Sequence, residues 1–176
     1  MNRIIISAFA FLFCVGEGIS LAAGGIVARI GDSGDSVELS QQIDGRTVVD
    51  TLPVYHAGNV RYFSAGIGID ERSAQYPPFS LKLVFTAGGK PFLAGVAVTI
   101  RPAKGGPPID IPRDHVNGPW LFVELPSGTY HLTATHADRT QNLKGVTVKG
   151  GKMKTVYLRW PEERESAALS GEAIGQ

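Results

Sequence analysis

The chain has 176 residues, 17 Lys and Arg against 16 Asp and Glu, and a formal charge of +1. Its 43% hydrophobic content leaves room for the core of one ordinary domain and excludes a wholly disordered chain, while 22 Gly and 11 Pro suit turns better than long helices. So neutral a balance excludes a nucleic-acid binder driven by counterion release, which needs a surplus of Lys and Arg.

Met1-Asn2-Arg3 carries one positive charge, and Ile4 to Val15 follows without any. That stretch is shorter than the roughly 20 apolar residues a membrane span needs. Gly16-Glu17-Gly18 interrupts it, and Ser20-Leu21-Ala22 puts small residues where a signal peptidase reads them. Residues 1–22 are therefore expected to be a secretory signal peptide, cut after Ala22 or Ala23. Its removal leaves no membrane span and places the protein in the periplasm or outside the cell. Cys14, the only cysteine, leaves with it, so the remainder can form no disulfide and must rely on core packing.

Residues 23–78 read as an N-terminal extension with short strands and one short helix. Gly24 to Arg46 is rich in Gly, Ser, Asp and Gln and is expected to be loosely attached. Thr47 to Tyr55 and Val60 to Ile67 are β-prone, the first confined to an edge by Pro53, which lacks a ladder donor. Asp70 to Gln75 reads as a helical turn with Asp70 as its N-cap and Pro77-Pro78 as its stop.

From residue 79 the pattern sharpens. Phe79, Leu81, Leu83 and Phe85 alternate with polar residues, as do Val96, Val98 and Ile100, the signature of half-buried strands. Gly88-Gly89-Lys90-Pro91 separates these two runs as a turn. Ile109-Asp110-Ile111 is a short strand inside a Pro/Gly-rich section. Trp120 to Leu125 is nearly continuously apolar, as expected for a strand covered on both faces. Tyr130, Leu132 and Ala134 alternate after the Pro126-Ser127-Gly128 turn. Leu143, Val146 and Val148 fall out of phase across Gly145, which a bulge would correct. Lys149 to Lys152 reads as a hairpin turn leading into Val156, Leu158 and Trp160. Residues 161–176 form a polar tail expected to be disordered.

The segment Leu125-Pro126-Ser127-Gly128-Thr129-Tyr130-His131-Leu132-Thr133-Ala134-Thr135 resembles the strand-turn-strand signature of carboxypeptidase regulatory-like domains, within the prealbumin-like (transthyretin-like) group. Leu83-Val84-Phe85, Leu93 to Ile100 and Val146-Thr147-Val148 fit the same group. Tyr62 to Arg72, Gly118-Pro119-Trp120-Leu121 and Leu158-Arg159-Trp160 resemble small exported proteobacterial proteins of that kind. The resemblance covers residues 79–160 and implies an all-β fold: a seven-stranded prealbumin-like (Ig-like) β-sandwich. The wider group includes a hydrolase of a purine-breakdown intermediate, but its C-terminal Tyr-Arg-Gly-Ser is replaced here by Arg159-Trp160-Pro161.

The residues capable of chemistry do not assemble into a catalytic pattern. Gly31-Asp32-Ser33-Gly34 looks like a hydrolase string, yet no histidine precedes Ser33, and none of His56, His115, His131 and His136 has Asp three residues before it. His131 and His136 lie an odd number apart, hence on opposite strand faces, so no metal site is expected even with Asp114-His115 nearby in the sequence pattern. Asp70, Glu71 and Arg72, after Gly66-Ile67-Gly68, could be offered to a partner from a loop. Tyr62, Tyr76 and Trp120 could form a sugar-stacking surface. Gly128 is expected at positive φ in its turn. The sequence therefore points to a non-enzymatic interaction or accessory module of the bacterial cell envelope. It uses no cofactor, and its partner is another envelope protein or a glycan. The alternative is a small-ligand module that binds carbohydrate.

Overall fold

Period-2 alternation becomes strands throughout, and three sheets stack so that the middle strands of one of them are covered on both sides. The computed structural model describes residues 25–88 and 93–161; the expected signal peptide, Gly89-Lys90-Pro91 of one turn and the tail past Pro161 lie outside the described residues. Among the described residues there are twelve strands. They are β1 (Val27–Ile30), β2 (Ser36–Ile43), β3 (Arg46–Pro53), β4 (Tyr55–Ala57), β5 (Val60–Ala65), β6 (Leu81–Ala87), β7 (Ala97–Pro102), β8 (Ile109–Ile111), β9 (Trp120–Val123), β10 (Gly128–His136), β11 (Arg139–Val148) and β12 (Lys154–Trp160). One short helix, α1 (Ile69–Ser73), and a single 3-10 turn at Arg113–His115 interrupt them.

The central sheet has five strands in the order β12-β6-β9-β5-β4, and it faces a four-stranded sheet of order β11-β10-β7-β8. Leu81, Leu83, Leu121, Val123 and Leu158 point from the first into a shared core with Val98, Ile100, Leu132 and Ala134 from the second. The opposite face of the central sheet carries Phe63, Ala65 and Phe122, and a three-stranded sheet, β1-β2-β3, covers them with Ala28, Val37 and Leu39. This double cover explains the unbroken apolar run of β9, whose Leu121 and Phe122 are buried on opposite faces.

Two expectations about organisation are corrected here. The extension is not loosely attached, because β1 and β2 bury an aromatic layer. Nor does residue 79 mark a boundary: β5 pairs antiparallel with β9, Phe63 opposite Phe122. Residues 79–160 contribute β6 to β12 to the two facing sheets, and β4 and β5 from the extension bring their total to nine strands. Pro53 does end an edge strand, as its missing N–H requires.

The bulge at Gly145 is present. Tyr130 lies opposite Val146 and Leu132 opposite Leu143, so β11 carries one extra residue there, and Gly145 accommodates it at φ 73°. The Lys149–Lys152 turn does not make a hairpin of its flanking strands. The chain crosses to the other sheet, and β12 runs parallel to β6 from Lys154 opposite Leu81 to Trp160 opposite Ala87. Burying Leu158 and Trp160 against the central core outweighs the local preference for a hairpin.

The Pro126-Ser127-Gly128 turn is held from the side. The Tyr130 hydroxyl donates to the Pro126 carbonyl oxygen at 2.8 Å, and the Tyr130 ring lies over Gly128. Gly128 does not have positive φ and instead opens β10; the aromatic clamp replaces the strained backbone that the turn was expected to need.

Candidate functional site

Asp70, Glu71 and Arg72 fall in α1, but not in the roles their order suggests. Gly68, not Asp70, occupies the cap position, and no side chain caps the helix. The Glu71 carboxylate turns back and accepts the N–H groups of Gly66 at 2.6 Å and Ile67 at 3.1 Å. The Tyr76 hydroxyl donates to the Glu71 carbonyl oxygen at 2.8 Å. Glu71 thus fastens the loop, whereas Asp70 and Arg72 are exposed, with no side-chain partner among the described residues. The loop lies against Trp120: Gly66 has φ 99°, and a Cβ there would sit 3.0 Å from the indole.

Trp120 is half-buried, its edge contacted by Tyr76, and the Lys82 Nζ sits 3.3 Å from its ring centroid. Burial pushes the Lys82 ammonium down to about 8, while the indole face attracts the charged form and opposes that shift. Tyr62, expected to be exposed beside these rings, is 2% exposed and points to the other face of the sheet. The three aromatics therefore do not form one stacking surface, because successive positions on a strand face opposite ways. Tyr62 instead shares a hydrogen bond of 2.8 Å with His115 Nδ1, and Tyr55 stacks on that imidazole at 3.8 Å. Burial first, then the charges of Tyr55 and Asp114, raise the Tyr62 hydroxyl above its ordinary range.

The remaining histidines are dispersed. His131 accepts the Gly145 N–H at 3.3 Å on one face of β10, and His136 meets the edge of Trp160 from the other. Exposed Ser33 accepts the Asp35 N–H at 3.3 Å, and His56 lies 3.6 Å from the Asp35 carboxylate rather than on the Ser33 hydroxyl. Among the described residues no three His, Cys, Asp or Glu side chains converge as metal ligands. An open groove of about 470 Å³ lies between Ala57–Val60, Pro102, Pro107, Pro108, Pro126 and Tyr130. Four of its ten lining residues are prolines, and its Tyr130 hydroxyl is already committed to the backbone.

Ile67 and Ile69 of the loop that Glu71 fastens are themselves 62% and 74% exposed, and a further exposed apolar patch lies on the β2–β3 hairpin. Near its base Val37 and Leu39 are buried, but Ile43, Val48 and Val49 are 46%, 42% and 50% exposed. Every residue from Arg46 to Thr51 is exposed, whichever face of β3 it occupies. The distal half of the hairpin is thus an arm beyond the core that its base covers. Asp44 and Gly45 make its turn with φ 49° and 74°, a pair of positive values that gives a tight two-residue hairpin. Asp44-Gly45 between β-prone flanks was the available sequence signal, submerged in the polar composition around it. A comparison of the chain with protein-family models, curated proteins and solved structures finds no match.

Proposed function

We propose that this chain is an exported, non-enzymatic interaction or accessory module of the bacterial cell envelope, in the periplasm or outside the cell, built on a prealbumin-like sandwich of the carboxypeptidase regulatory-like kind. One observation carries the interaction reading: six consecutive residues of an edge strand, Arg46 to Thr51, are solvent-exposed with two valines among them. Unpaired strand edges with apolar side chains are surfaces for adding a further strand. The fold part draws on the clamp of Tyr130 over Gly128, which has the build of the tyrosine corner found in Greek-key sandwiches. Export rests on the apolar segment and small residues of positions 1–22.

Site-specific photo-crosslinking tests the reading. A photoreactive side chain at Val49 should capture a protein partner in an envelope preparation, whereas one at exposed Tyr157, on β12, should capture far less. Equal or absent capture at both positions would dismiss the arm as the contact surface.

A further inference from the structure

We infer that the partner of this arm is a second copy of the chain, added edge to edge through β3, antiparallel about a two-fold axis at Val48. The inference rests on the interaction reading above and names its partner.

Among the described residues, of the two edges of the three-stranded sheet only that of β3 is open. The β1 edge is closed by Gln75, whose carbonyl accepts the Ala28 N–H at 3.0 Å and whose N–H reaches the Ile26 carbonyl at 2.9 Å. From Arg46 to Leu52 the β3 edge carries no lysine, proline or bulge, the usual devices that block pairing.

The turn decides which backbone groups face outward. A two-residue hairpin closes on a hydrogen-bonded pair, here Ile43 with Arg46. Alternation then directs the backbone groups of Arg46, Val48 and Asp50 toward β2 and leaves those of Thr47, Val49 and Thr51 at the free edge. The Thr51 N–H agrees: it takes the neighbouring Asp50 carboxylate at 2.8 Å, not a strand partner.

Charge then selects the register. With Val48 on the axis, Thr47 of each copy faces Val49 of the other, and the two pairs supply about four backbone hydrogen bonds. Arg46 of each copy falls opposite Asp50 of the other, in the non-hydrogen-bonded positions where side chains approach most closely, and Val48 meets its own counterpart. An axis at Val49 would set Arg46 against Leu52 and Asp50 against Val48. A parallel in-register copy would set Arg46 against Arg46 and Asp50 against Asp50. Only the Val48 register, among these three, matches both charges and apolar groups. It also brings the base of each copy's strand beside the other's tip. There a groove of about 450 Å³ is lined by Ile43, Asp44, Arg46 and Val48.

The test is a charge swap read by sedimentation equilibrium of the purified protein. The parent chain should dimerise at micromolar concentration. Arg46→Glu and Asp50→Arg should each weaken association about tenfold or more, because each sets two like-charged pairs across the axis. Mixing the two variants should restore it as a heterodimer, since every pair then joins opposite signs; two misfolded variants would not do so. In the parent dimer the Thr47 and Val49 amides should be protected from hydrogen exchange in a concentration-dependent way. A dimer indifferent to either swap, or a monomer at all concentrations, overturns the inference. So does protection that persists in a monomer, which would mean that the chain covers its own edge. A monomer whose Val49 crosslinker still captures another protein removes self-pairing and leaves the interaction reading standing; a monomer without capture removes both.

Discussion

The two faces of the central sheet are buried by different means. One meets a four-stranded sheet through interlocking, mainly aliphatic side chains, with Tyr62, Phe85, Tyr130 and Trp160 among them. The other is aromatic: Phe63 stacks on Phe122 at 4.7 Å and 3°, Phe79 meets Phe63 edge-on, and the thinner β1-β2 pair lies over them. The aliphatic face has partners spread across two sheets. The aromatic face concentrates its burial in a few large rings, so one truncation should loosen a larger share of it. The N-terminal sheet is then a lid whose attachment can be tested separately from the sandwich beneath.

Neighbouring residues of β9 allow the sharpest comparison. Phe122→Ala should cost about 3–5 kcal/mol and Leu121→Ala about 2–5 kcal/mol, measured by chemical denaturation. The two should differ in where protection is lost. Hydrogen exchange should speed up selectively in β1 and β2 for Phe122→Ala, and throughout both facing sheets for Leu121→Ala. Identical exchange maps would show that all three layers open as one unit.

A smaller effect is expected at the clamp on the sandwich side. Tyr130→Phe removes the bond to Pro126 while keeping the ring over Gly128, and should lower stability by about 1 kcal/mol without changing the exchange pattern of the lid. An unaltered denaturation midpoint would mean that ring packing alone holds the turn.

The mildest probe is pH, read at Lys82 on the aromatic side. Its native value of about 8 lies below the ordinary 10.5, so between these values the unfolded chain keeps a proton that the native state has released. Stability should therefore rise with pH across that window, and Lys82→Met should remove the rise. Profiles of equal slope in the two proteins would show that attraction to Trp120 balances the burial.

What could be read in the sequence follows the same division. Strands β6 to β12 announce themselves because each has an apolar face, β9 on both sides, and a turn at either end, and even the Gly145 bulge is visible as a phase slip. The hairpin was hidden because only Val37 and Leu39 of β2 enter a core, while half-buried Gln41, exposed Gln42 and the β3 residues dilute the pattern. The parallel placement of β12 was not legible either. Lys149-Gly150-Gly151-Lys152 encodes a turn, and which sheet receives the next strand depends on side chains far off in the chain. At the candidate site the residue types were legible but their duties were not. Glu71 looked available for a partner and instead ties down Gly66 and Ile67, a contact settled by the backbone's fold rather than by spacing.

The parallel pairing of β12 with β6 has a consequence for synthesis. These strands lie roughly seventy residues apart, and among the described residues β6 has no other neighbour on that side. A ribosome that has just released β11 has therefore produced everything needed for the four-stranded layer but only an unfinished version of the one it rests on. Until the last strand emerges, β6 is open to whatever extended peptide reaches it first, so a message truncated before Lys154 should give chains that stick to one another rather than a smaller stable protein.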